Sequence, residues 1–233
     1  MKNRYWRYLH ERQLAKKFGL DNLKHVNELN YWQDCYETEG GTFENIRYRN
    51  QLLAMAGEPN GEFLRGKIVA DFGCGPRGSL HLMSEARIRI GIDVLTDAYS
   101  RFDIFKHDMT YVTCTEEGIP LSSGYVDVLF TMNAMDHVDN FAQASREVLR
   151  ILRPGGLFIG SFNLDEPPTR CEPQTLDEAL IKTHLLSTLE IESYRVAPKG
   201  PHGDAFRYLL TDAVAPHTSP RVLWVRAKKP CIS

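Results

Sequence analysis

The chain has 233 residues, 42% of them hydrophobic and 25% charged, enough for one core of ordinary size with an appendage and too apolar for a disordered tail. Its 28 basic and 30 acidic residues leave a net charge of −2, which gives no broad electrostatic footprint for nucleic acid. No apolar run approaches the ~20 residues of a membrane-spanning helix, and the basic stretch Met1 to Arg7 has no apolar core behind it that would make a secretory signal. The five cysteines (Cys35, Cys74, Cys114, Cys171 and Cys231) form no C-x-x-C pair, which implies reduced thiols in a cytoplasmic protein rather than disulfides or a zinc site.

Residues 2–57 read as helical. Tyr5, Leu9, Leu14 and Phe18 are spaced roughly by helical turns, and Gly19 stops that run. A second segment runs from Leu23 to Trp32, and after Gly40-Gly41 a third runs from Phe43 to Ala56. Together they predict a helical N-terminal cap over 1–57, ahead of a main domain over 58–233 that opens with a polar link. From Lys67 strands and helices alternate, which predicts an α/β fold with a parallel sheet and crossover helices. Strands are expected over 67–72, 88–94, near Tyr111-Val112, and over 126–131, 157–162, 189–197 and 221–228. Helices are expected near 78–86, 141–152 and 176–187. Arg153-Pro154-Gly155-Gly156 is expected to end the helix at 152 through a left-handed glycine cap, and a proline-rich loop spans 164–174.

One stretch carries most of the functional information: Val69-Ala70-Asp71-Phe72-Gly73-Cys74-Gly75-Pro76-Arg77-Gly78, answered by Gly91-Ile92-Asp93. It reads as a buried strand ending in a glycine-rich turn, with a helix expected beyond it, and a second strand that ends in a carboxylate. Glycines let the backbone turn tightly and approach a ligand. An acid at the next strand tip can accept hydrogen bonds from ribose hydroxyls. Asp71, two residues before the first glycine, would repel a pyrophosphate, so it suits a positively charged ligand better than a dinucleotide.

The segment D-F-G-C-G-P-R-G resembles the first motif of the class I S-adenosylmethionine-dependent methyltransferases, commonly D-x-G-x-G-x-G. Met132-Asn133-Ala134-Met135-Asp136-His137-Val138 resembles their N-x-L-D/E-H-V signature. Leu149 to Gly156 resembles their L-x-x-x-L-K/R-P-G-G turn, and Glu116-Glu117-Gly118-Ile119-Pro120-Leu121 resembles the loop before their fourth strand, with Thr115 where an aspartate usually stands. The resemblance covers about 65–163 well and the last 60 residues loosely. It implies a Rossmann-like seven-stranded sheet of order 3-2-1-4-5-7-6 and S-adenosylmethionine as cofactor. It further implies cofactor contacts from Asp71, Gly73, Gly75, Asp93, Val94, Glu117, Gly118 and Asn133.

His137 is the candidate general base, because imidazole titrates near neutrality, with Asp136 as its orienting partner. Arg47 and Arg49 are candidates for pairing with the cofactor's carboxylate, and guanidinium suits that task by bidentate geometry. Tyr31, Trp32, Tyr36 and His202 are candidate substrate contacts, whereas His81 is expected to pack. The acceptor is expected to be a small molecule, a secondary metabolite, offering N or O. Strand 4 lacks an N-P-P-Y-like end and no Pro-Cys nucleophile is present. No metal is expected, and the oligomeric state stays open. Rival readings are a nucleic-acid or protein methyltransferase, a nicotinamide-dependent oxidoreductase with Asp93 on the ribose, and a catalytically silent cofactor-binding module.

Overall fold

A computed structural model describes residues 23–115, 118–169, 171–200, 203–209 and 220–231. The first expected helix, over 5–18, lies outside them. The apolar runs of the sequence become seven strands: β1 (Ile68–Phe72), β2 (Ile88–Asp93), β3 (Thr110–Thr113), β4 (Val126–Met132), β5 (Leu152–Leu164), β6 (Glu190–Pro198) and β7 (Arg221–Lys228). They form one sheet of order β3-β2-β1-β4-β5-β7-β6. The first five pair in parallel, and β7 runs antiparallel to both of its neighbours. β1 is buried along its whole length, as a central strand covered on both faces requires.

Four helices surround the sheet among the described residues: α1 (Leu23–Thr38), α2 (Ile46–Ala56), α3 (Phe141–Ile151) and the short α4 (Glu178–Ile181). α1 continues six residues past the expected Trp32. α2 buries Leu52, Leu53, Met55 and Ala56 in one core cluster with Val69, Phe130, Ile159 and Trp224, so it lies on one face of the sheet. α3 and α4 cover the other face, where Val148, Ile151, Ile181 and Leu185 meet Ala70, Leu129 and Phe158. α1 joins neither cluster. Its Leu29 packs with Leu95, Ala98, Tyr99 and Phe102 beyond the tip of β2.

Three local expectations are corrected. The helix expected near 78–86 does not form. Gly78 has φ +71°, and His81, Met83 and Ala86 donate to carbonyls three residues back, a series of turns. Ala86 then bridges to Arg65, and the Arg89 guanidinium bonds the His81 carbonyl, which hold the segment short and tight between β1 and β2. The glycine cap expected after α3 is also absent. Leu152 ends the helix in an extended conformation and enters β5 directly, while Gly155 (φ +73°) serves an irregularity in the β4–β5 register and donates to the Lys229 carbonyl. The helix expected over 176–187 starts at Glu178, capped by the Asp177 side chain on the Leu180 amide at 2.7 Å, and widens into a π turn over Lys182–Leu186.

Candidate active site

Parallel strands end on the same edge, so β1, β2 and β4 deliver Asp71, Asp93 and Asn133 to one rim. There they border an open cleft of about 1710 Å³, which α1 and the segment 42–51 wall on the other side. The glycine turn after β1 is drawn onto β2: the Gly73 amide donates to the Ile92 carbonyl at 2.8 Å. Asp93 then fastens it. One carboxylate oxygen accepts from the Gly75 amide at 3.0 Å, and the other accepts from the Leu95 amide at 3.0 Å and the Tyr99 hydroxyl at 3.2 Å. Burial pushes the Asp93 carboxyl up, and the two amides oppose that shift. A carboxylate oxygen has two acceptor positions, so Oδ2, which accepts only from Gly75, keeps room for a further donor, whereas Oδ1 has both filled. Val94, 38% exposed, presents an apolar surface beside it.

Asp71 is the electrostatic anomaly of this rim. It is 1% exposed, one oxygen accepts from the Ser79 hydroxyl, and the other has no partner. Burial pushes its carboxyl up to about 7, with Ser79 opposing and the charge of Asp93 adding to the rise. A buried acceptor without a donor is costly. A cationic ligand would relieve that cost, whereas a pyrophosphate between two carboxylates would raise it. Gly73 and Gly75 both have positive φ. A Cβ on Gly73 would collide with that of Ala134, and one on Gly75 would lie 2.8 Å from Trp32 Cζ2. The turn is therefore packed between the exit of β4 and an indole from α1. These residues fit S-adenosylmethionine, a compact cation with a ribose.

Asn133 stands at the end of β4 in the left-handed region (φ +47°), which asparagine tolerates better than most residues. Ser161 of β5 holds it there: the Asn133 amide donates to the Ser161 carbonyl at 3.0 Å, and the Ser161 hydroxyl donates to Asn133 Oδ1 at 2.9 Å. Further along, His137 Nδ1 lies 3.0 Å from Glu28 Oε1 of α1, and Nε2 lies 3.9 Å from Asp136 and 3.7 Å from Glu172. Burial lowers the imidazole pKa. The Glu28 hydrogen bond and the surrounding carboxylates outweigh that, so His137 sits above its ordinary value. Burial raises Asp136, partly offset by His137 and by Asn163, whose amide donates to Oδ2 at 2.9 Å.

The remaining expected residues divide. Gly118, Arg47, Tyr31 and Trp32 border the cleft. Glu147 of α3 accepts from the Ile119 amide next to Gly118 at 2.8 Å. Glu117 and His202 lie outside the described residues. Arg49 turns away from the cleft: its guanidinium bonds the Leu82 carbonyl at 3.2 Å and Glu85 at 3.4 Å. Residues two apart on a helix point to nearly opposite sides, so Arg47 and Arg49 cannot both face one ligand. Tyr36 is also set back, its ring 5.1 Å from Phe43 and 5.4 Å from Phe102. His81 packs as expected, accepting from the Asp108 amide at 2.7 Å.

Sequence reasoning missed Glu28, Tyr99, Glu172 and the role of Arg77. The Arg77 guanidinium lies 4.6 Å from the centre of the Phe43 ring and 5.7 Å from those of Trp32 and Tyr48, and it pairs with Glu39. It thus pins the glycine turn to the helical wall by cation–π contacts. Arg77 lay inside the motif, so its charge was a usable signal. Glu28 and Glu172 carried none. Tyr99→Phe is expected to cost about 1 kcal/mol of stability and to weaken cofactor binding a few-fold, read by urea unfolding and calorimetry, because only the hydroxyl on Asp93 is lost.

The family model described as a methyltransferase domain matches residues 70–160. The chain is 29% identical over 113 residues to an uncharacterized methyltransferase of Mycobacteroides abscessus, an alignment covering 46% of this chain and 44% of that one. It is 29% identical over 166 residues to the malonyl-[acyl-carrier protein] O-methyltransferase of Enterobacter lignolyticus, covering 68% and 62%. The chain spans less than half the length of the first of these relatives. In fold it is similar to an S-adenosylmethionine dependent methyltransferase from Mesorhizobium loti, with a TM-score of 0.55, 19% identity, and coverage of 76% and 95%. The matched segment contains Asp71, both turn glycines, Asp93 and the strand 4 exit, so residues 70–160 are similar to a methyltransferase domain and, with the sheet order, these similarities support a class I S-adenosylmethionine-dependent methyltransferase.

Proposed function

We propose that this chain transfers a methyl group from S-adenosylmethionine to a nitrogen or oxygen atom of a small-molecule acceptor. The observation that carries this reading is the division of one cleft. A glycine turn between two carboxylates occupies one end, and an imidazole surrounded by three carboxylates occupies the other. When bound, the cofactor supplies an electrophilic sulfonium methyl. Asp93 accepts from the ribose hydroxyls, with Val94 and Gly118 along the nucleoside. Asp71 faces the positive end, Gly73 and Gly75 permit close approach, and Arg47 is the guanidinium left to meet a carboxylate.

His137 takes the proton that the acceptor loses. Its Nδ1–H donates to Glu28, which leaves Nε2, on the side of Asp136 and Glu172, as the nitrogen that takes the proton, and Asp136 steadies the ring. Alignment of acceptor and methyl, with water excluded by Tyr31 and Trp32, supplies the rest. Among the described residues, α1 and the segment 42–51, which wall the cleft, act as its cap. The O-methyltransferase among the relatives supports an oxygen acceptor, and the five free thiols support a reducing compartment. No helix among the described residues is long and apolar enough to cross a membrane.

The test is calorimetric titration with S-adenosylmethionine, S-adenosylhomocysteine and NAD, followed by an acceptor screen read by mass spectrometry. Micromolar binding of the first two is expected. Asp93→Ala should weaken it by about 10- to 100-fold, the value of one or two hydrogen bonds to a charged group. Binding of NAD alone would replace this reading with the oxidoreductase, and tight cofactor binding with no methylated product would favour a silent module.

A further inference from the structure

We propose that Asp136, His137 and Glu172 form a binding site for one divalent metal ion of the Mn2+ type, with Glu28 as the group that orients the imidazole. The inference rests on the side-chain cluster and does not depend on the methyl-transfer reading. One oxygen each from Asp136 and Glu172 and a ring nitrogen of His137 lie within 4.8 Å of one another. Nε2 is 3.9 Å from the Asp136 oxygen and 3.7 Å from the Glu172 oxygen. Ligands about 2.1 Å from a shared ion are about 3.0 Å apart at a right angle and about 4.2 Å apart when opposed. The cluster therefore needs only sub-ångström closure.

A second observation is independent of that clustering. The Asp136 side chain is 5% exposed, and Oδ2 is satisfied by Asn163 at 2.9 Å. Its Oδ1, the atom turned toward His137 Nε2, has no hydrogen-bond partner. A buried carboxylate oxygen without a donor calls for a cation. Glu28 supplies the outer part of the arrangement. It accepts from Nδ1–H at 3.0 Å, which fixes the tautomer whose Nε2 lone pair faces the two carboxylates. Histidines that bind metals are held in this way by a carboxylate on the other ring nitrogen. Lys24, which also borders the cleft, is paired with Asp139 at 2.9 Å. Two carboxylates and one imidazole suit an ion of intermediate hardness better than a purely oxygen-seeking or thiol-seeking one.

Such an ion would bind an oxygen of the acceptor and lower the pKa of its hydroxyl. His137 would then serve as ligand, and its role as a free base would pass to the ion. The experiment is a titration of the chelator-treated full chain with MnCl2 alone, following loss of the free Mn2+ paramagnetic resonance signal. The buffer is alkaline enough to leave His137 neutral. One ion per chain with micromolar affinity is expected. Glu172→Gln, on a loop and partly exposed, should fold normally and weaken binding about 10-fold or more, and Glu28→Gln should do so without changing the stoichiometry. A folded wild type that leaves the Mn2+ signal free at millimolar protein overturns the proposal. So does binding that Glu172→Gln and His137→Gln leave unchanged. Neither result bears on whether S-adenosylmethionine binds.

Discussion

Replacement of Gly73 by valine is expected to weaken S-adenosylmethionine binding by about 100-fold or more and to cost about 2–5 kcal/mol of stability. Two effects add. The residue has φ +71°, a conformation that costs an L side chain about 1–2 kcal/mol. Its Cβ would also enter the space of the Ala134 side chain at the exit of β4. Neither neighbour can yield, because Gly73 is hydrogen-bonded to β2 and the chain after Ala134 turns back at once through the His137 amide. Relief must come from displacing the turn, and Gly75 and Asp93 move with it. Gly57→Ala is the control. That residue has φ +69° with nothing within 4 Å of an added Cβ, so it should cost only the backbone part and leave binding intact. Calorimetry and urea unfolding read both variants. Wild-type affinity in Gly73→Val would sink the assignment of this turn to the cofactor.

Asp71→Asn is expected to stabilise the ligand-free protein and weaken cofactor binding. The folded-state pKa of Asp71 is raised to about 7 by burial, against 3.8 for the ordinary carboxyl. Between those values the folded chain holds a proton that the unfolded chain has released, so the group's contribution to stability falls as pH rises from about 4 to about 7 and is flat above. Asparagine removes this dependence. The variant should therefore gain on the wild type across that window, by an amount on the order of 2–4 kcal/mol at and above neutrality. It keeps the hydroxyl contact with Ser79 through its amide oxygen. The same change removes the negative charge available to a cationic ligand, and S-adenosylmethionine should bind about 10-fold or more weakly. Urea titrations from pH 4 to pH 8 and calorimetry at neutral pH check the two halves. A variant no more stable than wild type at neutral pH would show that Asp71 ionises without penalty.

Much of the sheet was legible because its signals are local. β1 and β4 are short apolar runs bounded by glycine or polar residues, and their observed limits differ from the expected ones by a single residue. The helix expected after the glycine turn failed for a reason that local propensity does not carry. Contacts from outside the segment, by Asp71 with Ser79, Arg89 with the His81 carbonyl and Arg65 with Ala86, hold residues 79–86 as turns. The pair Arg47 and Arg49 failed for a simpler reason, visible in helical spacing alone. The acidic surroundings of His137 were illegible: Glu28 is 109 residues away in sequence, and it meets the imidazole because α1 folds back across the cleft.

The sequence by itself determined the glycine turn and the carboxylates at the tips of β1 and β2, since each depends on residues adjacent in the chain, whereas the strand order was legible only through the resemblance of its motifs to a known family. Only the tertiary structure decided which side chains share the other end of the cleft. There the raised pKa of His137, the unpartnered oxygen of Asp136 and the approach of Glu172 arise from carboxylates and segments brought together by packing. Burial and proximity are properties of the folded chain, and no spacing in the sequence encodes them.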